Sequence, residues 1–210
     1  MRSCKSAVYL TVLLVAANFG SPAFSQTTNA PDAASPPAAM PDLSKPGVNH
    51  QILAEETGNW TYSGKFWVNP DTNAPPSVFT GTTVTKSTMG GRYFITEHKG
   101  LMSMPGPDGK LADVEFNGME LAGYDNLKQK FVSSWIDNFG TGIVPFEGDY
   151  NPTAKAITYW GEEEPVPGLK IKFREVVTHI DHDHYTMEYF QNQGGHETKS
   201  MEIKYTRTGE

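Results

Sequence analysis

Cysteine is nearly absent from the 210 residues: Cys4 is the only one. A framework of internal disulfides is excluded, and so is a metal site built from several thiolates. Basic charge is scarce, with 17 Lys+Arg against 24 Asp+Glu and a net charge of −7. No basic stripe is available to release phosphate counterions, which argues against a nucleic-acid partner. Catalytic signatures are missing as well. There is no Gly-x-Ser-x-Gly elbow and no phosphate loop, and His196-Glu197 lacks the second histidine of a helical zinc motif. No repeat of 20 to 50 residues points to a propeller or solenoid.

One mostly apolar run stands out, at residues 7–17, behind Arg2 and Lys5 and ahead of Ala23-Phe24-Ser25. This is the grammar of a secretory signal peptide over residues 1–25, too short to remain as a membrane anchor. Its removal takes away two positive charges, no acid and Cys4, so the mature chain carries about −9 and no thiol. Residues 26–49 hold Pro31, Pro36, Pro37, Pro41 and Pro46 among Ala and Ser. Such a stretch buries too little apolar surface to offset the cost of ordering, and is expected to be a disordered tether. The remaining domain, residues 50–207, is long enough to build a core without staples.

Within that domain the chain is rich in what strands need. Aromatics make up 11%, and Gly and Pro together number 35. His50 to Thr57 predicts a short helix with Ile52 and Leu53 on its apolar face, ended by Gly58. Trp60, Tyr62, Gly64 and Phe66 then alternate with polar residues, the period of a half-buried strand. Similar runs follow over Ser77–Met89, Tyr93–Met102, Val114–Tyr124, Phe131–Asp137 and Ile143–Tyr150, then from Ile157, Leu169, Tyr185 and Met201. Short turns such as Gly90-Gly91 and Gly194-Gly195 join them. Glu162-Glu163-Glu164 reads as part of a solvated turn running to Gly168. Nine or ten strands linked this way leave two open edges unless they close on themselves. The reading is an all-β, antiparallel up-and-down β-barrel of 8–10 strands with a short N-terminal helix, wide enough for side chains or one small ligand.

Several constellations bear on function. Glu97, Asp137 and Glu175 share the parity of large apolar residues in their strands, so each is expected to face inward, with Arg92 and Arg174 as available partners. Asp137 also has the alternative of capping the turn that follows it. Trp135 and the other tryptophans are core and, where a pocket exists, pocket wall. His98 shares a parity with Phe94 and Met102, which makes it the best placed axial ligand if a haem were bound. The run His179 to His184 mixes His and Asp, but reads as a hairpin turn rather than a zinc site. No cofactor and no metal is assigned. The tentative ligand-binding set is Glu97, His98, Trp135, Asp137 and Arg174.

A short helix leading into Gly58-x-Trp60 resembles the opening of lipocalin-type barrels. That resemblance implies structural roles for Gly58, Trp60 and Arg207: the Trp plugs the closed end and a basic residue of the last strand, here Arg207, lies across its ring. More of the chain, from about His50 to Arg207, resembles the bacterial domain-of-unknown-function family 1579. The matching pieces are His50-Gln51-Ile52-Leu53, Gly58-Asn59-Trp60, Gly90-Gly91-Arg92-Tyr93-Phe94, Gly123-Tyr124-Asp125, Trp135-Ile136-Asp137, Phe146-Glu147-Gly148, Arg174-Glu175-Val176 and Met201 to Arg207. The resemblance implies a lipocalin-like barrel and no settled activity.

The expectation is an exported protein, periplasmic or secreted, whose barrel carries or senses a small, partly apolar molecule, with no transmembrane segment in the mature chain. Two alternatives stand beside it. One is an enzyme using a barrel carboxylate such as Glu97 or Asp137 as general acid or base. The other is a protein-interaction module with a filled barrel.

Overall fold

The computed structural model describes residues 42–67, 75–105 and 111–209. The expected signal peptide, most of the expected tether, and residues 68–74 and 106–110 lie outside them. The helix α1 spans Val48–Ala54, and ten strands follow: β1 Gly58–Phe66, β2 Ser77–Thr88, β3 Tyr93–Pro105, β4 Leu111–Asp125, β5 Lys130–Asp137, β6 Val144–Asn151, β7 Ala156–Val166, β8 Leu169–Asp181, β9 His184–Gln193 and β10 His196–Gly209. Each strand pairs antiparallel with its sequence neighbour, and β1 pairs with β10, so the sheet closes into one up-and-down barrel. Closure removes both edges, which is the physical reason so many short strands form one stable unit. Among the described residues no helix is long and apolar enough to cross a membrane.

Helix α1 starts at Val48, two residues before the expected His50. His50, on its first turn, reaches back so that its Nδ1 accepts the Gly47 N–H at 3.0 Å. The chain just before the helix is pinned to the barrel end: Arg92 donates to the Ser44 carbonyl, and the Asn126 amide to those of Leu43 and Lys45. Gly58 opens β1 at φ 124, a backbone angle that favours glycine, and so turns the helix into the first strand.

The helix marks one end of the barrel. There the inward side chains are sealed: Trp60, Phe94, Phe131, Ile157, Tyr159, Tyr185 and Tyr205 are all buried. Trp60 is 2% exposed and donates its indole N–H to the Glu56 carbonyl at 2.9 Å. Arg207 lies over the Trp60 ring, 4.0 Å from its centroid. Its guanidinium also donates to the carbonyls of Glu55, Thr57 and His182. One side chain thus satisfies the helix end, the corner into β1 and the β8–β9 turn.

Three sequence expectations change. In β3 the parities are reversed: Tyr93 and Leu101 are 40% and 51% exposed, Glu97 is exposed with them, and Phe94, Thr96 and His98 face inward. The outer wall of this barrel accepts large apolar side chains, so size alone did not mark the inner face. The acidic triplet lies in β7 rather than in a turn; Glu163 faces inward and accepts from Gln191 at 3.3 Å. His179 is no turn residue: it sits in β8, 7% exposed.

Candidate functional site

The inward face changes character along the barrel axis. Away from the helix, the inward side chains Phe66, Met102, Phe116, Trp135, Asp137, Phe146, Glu163 and Gln191 are only partly buried. The transition falls at Glu120 on β4, Glu175 on β8 and His98 on β3, which point inward from mid-strand and yet keep some accessible surface. A side chain that faces the axis and is still accessible borders internal space.

Two carboxyl groups face that space from nearly opposite walls, since β4 and β8 are four strands apart in a ring of ten. Ser133 donates its hydroxyl to Glu120 Oε1 at 2.6 Å. Burial pushes the Glu120 carboxyl up to about 7, and the charge of Glu56 adds to the shift against the Ser133 bond. Burial also pushes Glu175 up to about 8, with repulsion from Glu120 and Glu56 adding to it. Around them stand Tyr159, Tyr185, Tyr189 and Tyr205, whose phenols are all raised, first by burial and then by neighbouring charged or phenolic groups. No lysine or arginine of the described residues reaches these carboxyls. Arg92 is bonded at the helix end, and Arg174 stands on the outer wall, paired with Glu197 at 2.7 Å and lying over Phe190.

The aromatic wall begins at His98. Its ring is 5.1 Å from that of Trp135 and 6.2 Å from that of Tyr62, and burial lowers it to about 4, so it is neutral at physiological pH. Trp135 lies flat on the wall because Gly118 leaves room for it. A Cβ added at Gly118 would come 2.5 Å from the indole. Asp137 fixes the other edge, accepting the Trp135 indole N–H at 2.8 Å and the Phe139 backbone N–H at 2.8 Å. Asp137 therefore both orients the indole and caps the loop after β5.

Of the tentative ligand-binding set, the structure brings His98, Trp135 and Asp137 together inside the barrel. Glu97 is on the outside, contrary to the inward position expected of it, and Arg174, on the polar parity of β8, is paired with Glu197 on the outer wall and not with an inward carboxyl. Glu120 escaped the sequence reading, although it shares a parity with Phe116, Ala122 and Tyr124 in β4; that alternation was the available signal. Glu175, expected inward, is inward. No group of three or more His, Cys, Asp or Glu side chains is arranged to hold a metal ion among the described residues.

A separate cleft of about 330 Å³ opens at the helix end, lined by Glu55, Glu56, Trp60, His179, Asp181 and Tyr185 among others. Its charged groups are occupied with each other. His179 Nε2 is 2.8 Å from Glu56 Oε1, and its Nδ1 is 3.2 Å from Glu55 Oε2. Burial alone would lower the imidazole, but the hydrogen bond to Glu56 and the charges of Glu56 and Glu55 outweigh it, so His179 is raised. This arrangement latches the helix end to β8, and its geometry is that of a structural ion pair.

No curated protein matches the sequence. Residues 45–207, which include α1 and nearly all ten strands, match the family described as protein of unknown function (DUF1579), and the chain belongs to that family.

Proposed function

We propose that this protein is an exported carrier or sensor that holds a small, partly apolar molecule inside its barrel. The observation that carries the reading is the contrast along the inner face. Side chains near the helix are sealed, whereas His98, Trp135, Phe146, Glu120 and Glu175 face the axis and remain partly accessible. A barrel closed at one end and accessible inside along the rest is suited to enclosing a ligand among aromatic rings with a few polar anchors. Export rests on the leader expected over residues 1–25.

The test is native mass spectrometry of protein isolated from cells, set against its denatured mass. A discrete extra mass lost on denaturation supports the reading, and a denatured chain beginning at Gln26 supports export. A bare native mass that persists after exposure to amphiphilic amines, alcohols and acids overturns the carrier reading.

The raised carboxyls of Glu120 and Glu175 favour a second reading, general acid catalysis, since a carboxyl near neutrality suits proton transfer at physiological pH. The two readings part on incubation: a carried molecule keeps its mass, and a substrate does not.

A further inference from the structure

We propose that the molecule held in the barrel is a small organic cation, a primary alkyl- or arylalkylammonium, with its charged head between Glu120 and Glu175 and its apolar part against His98, Trp135 and Phe146. This inference rests on the carrier reading and names its ligand class. Two carboxyl groups project from opposing walls into the same interior, and no lysine or arginine of the described residues accompanies them. The histidines supply no counter-ion either: burial keeps His98 neutral, and His179 is bonded to Glu55 and Glu56. Burying two acids together without a counter-ion is unfavourable, and a cationic ligand supplies what the chain omits. The aromatic faces beside them suit an ammonium and its hydrocarbon better than an anion.

A second observation points the same way. Glu120 is held by Ser133, but the Glu175 carboxyl faces the interior with no hydrogen-bond or ion-pair partner among the described residues. A buried polar side chain left without a partner is uncommon, and this one leaves acceptor capacity inside the barrel for a ligand N–H. A fatty acid fits this interior poorly, because its carboxylate would meet Glu120 and Glu175.

Proton linkage sharpens the inference. Glu120 faces Ser133, Thr96, Tyr159 and Glu56; Glu175 faces Tyr159, Tyr189, Tyr205, Glu120 and Glu56. Both carboxyls hold protons until about neutrality, so a bound ammonium displaces them. Affinity for the cation should therefore rise from pH 6 to pH 8, with protons released on binding.

The experiment is isothermal titration of the purified protein with 2-phenylethylammonium, its neutral counterpart 2-phenylethanol and the anion 3-phenylpropanoate, in two buffers of different ionisation heat. The expected result is selective binding of the ammonium with proton release, weakened about thirtyfold or more in Glu120→Gln or Glu175→Gln. Both substitutions remove an uncompensated buried acid, so the variants should fold at least as stably as the parent; unfolding by urea checks this. Binding of the alcohol or the anion as tightly as the ammonium overturns the cation and leaves the carrier reading intact. Ammonium binding unchanged in both folded variants overturns the site. Failure of all three probes to bind, with a bare native mass from cells, overturns both the cation and the carrier reading.

Discussion

The two ends of the barrel are built from the same strands and solve different problems. At the helix end, Trp60, Tyr185 and Tyr205 pack ring on ring; Tyr185 and Tyr205 stack at 4.1 Å and Trp60 meets Tyr185 edge-on at 4.7 Å. The helix-end carbonyls, the Trp60 indole and the Glu55 and Glu56 carboxylates are answered, by Arg207, by the Glu56 carbonyl and by His179. Away from the helix, rings lie against the wall, and the carboxyls of Glu120 and Glu175 lack a cation. The lesson is a division of labour along one set of strands, with stability concentrated at one end and unsatisfied chemistry kept toward the other.

The sharpest way to break that comparison is to delete one large ring from each end. Trp60→Ala should cost about 3–5 kcal/mol, the usual loss for a buried aromatic, and should also strand Arg207. Trp135→Ala, at a partly accessible position, should cost less than about 2 kcal/mol by the smaller area it covers. Urea unfolding of the two variants measures the difference, and equal losses would mean the far end is as much core as the near one.

The next effect is in pH. Glu120 and Glu175 have folded pKa values above the unfolded carboxylate value, so the folded protein binds more protons than the unfolded chain between about 4.5 and about 8. Their stabilising contribution is complete below about 4.5 and is lost as pH rises through 7 and 8. Together the two carboxyls should lower stability by several kcal/mol, on the order of 6, between pH 5 and pH 8. The double variant Glu120→Gln, Glu175→Gln should flatten that slope. What slope survives has two signs: His98, lowered to about 4 by burial, gains stability as pH rises toward its ordinary 6.5, whereas His179, raised by Glu56 and Glu55, loses its contribution as pH climbs past 6.5. Melting curves across pH separate the two ends by which variant removes which part.

A smaller change is expected from Gly118→Ala. The new methyl drives the Trp135 indole off the wall, at a cost of about 1–2 kcal/mol for overpacking, and tryptophan fluorescence should shift as the ring moves. Smallest of all are the outer-wall substitutions. Glu97→Gln and Arg174→Ala should each change stability by less than about 1 kcal/mol, and neither should alter ligand binding.

Most of the fold was legible in the sequence, because alternation and short turns dictate a meander and the cost of open edges dictates closure. Side-chain direction was harder to read where both faces of a strand carry apolar residues. In β3, Tyr93, Ile95 and Leu101 outweigh Phe94, Thr96 and His98 in bulk, yet the smaller set faces in. Cross-strand pairing decides the matter: Thr96 is opposite Thr85, and their hydroxyls bond at 2.9 Å inside the barrel. That pairing is a property of two strands and is absent from either one alone. Glu120 was missed for a related reason, since Met119 and Leu121 are as apolar as the residues that share its parity. Glu175 was readable because Phe173 and Val177 flank it and Lys170, Lys172 and Arg174 mark the other face.

Arg207 has a consequence for the order of folding. It stands on β10, the strand that closes the barrel against β1, yet it bonds to Glu55, 152 positions earlier. Until that last strand is made and available, the first strand has one free edge and Trp60 has no lid. Closure therefore waits for β10: a chain cut before β10 has nine strands, two exposed edges and a tendency to associate with other chains. A barrel sealed by its tenth strand cannot close on the first nine alone, so the strand that carries Arg207 is also the one that hides both edges.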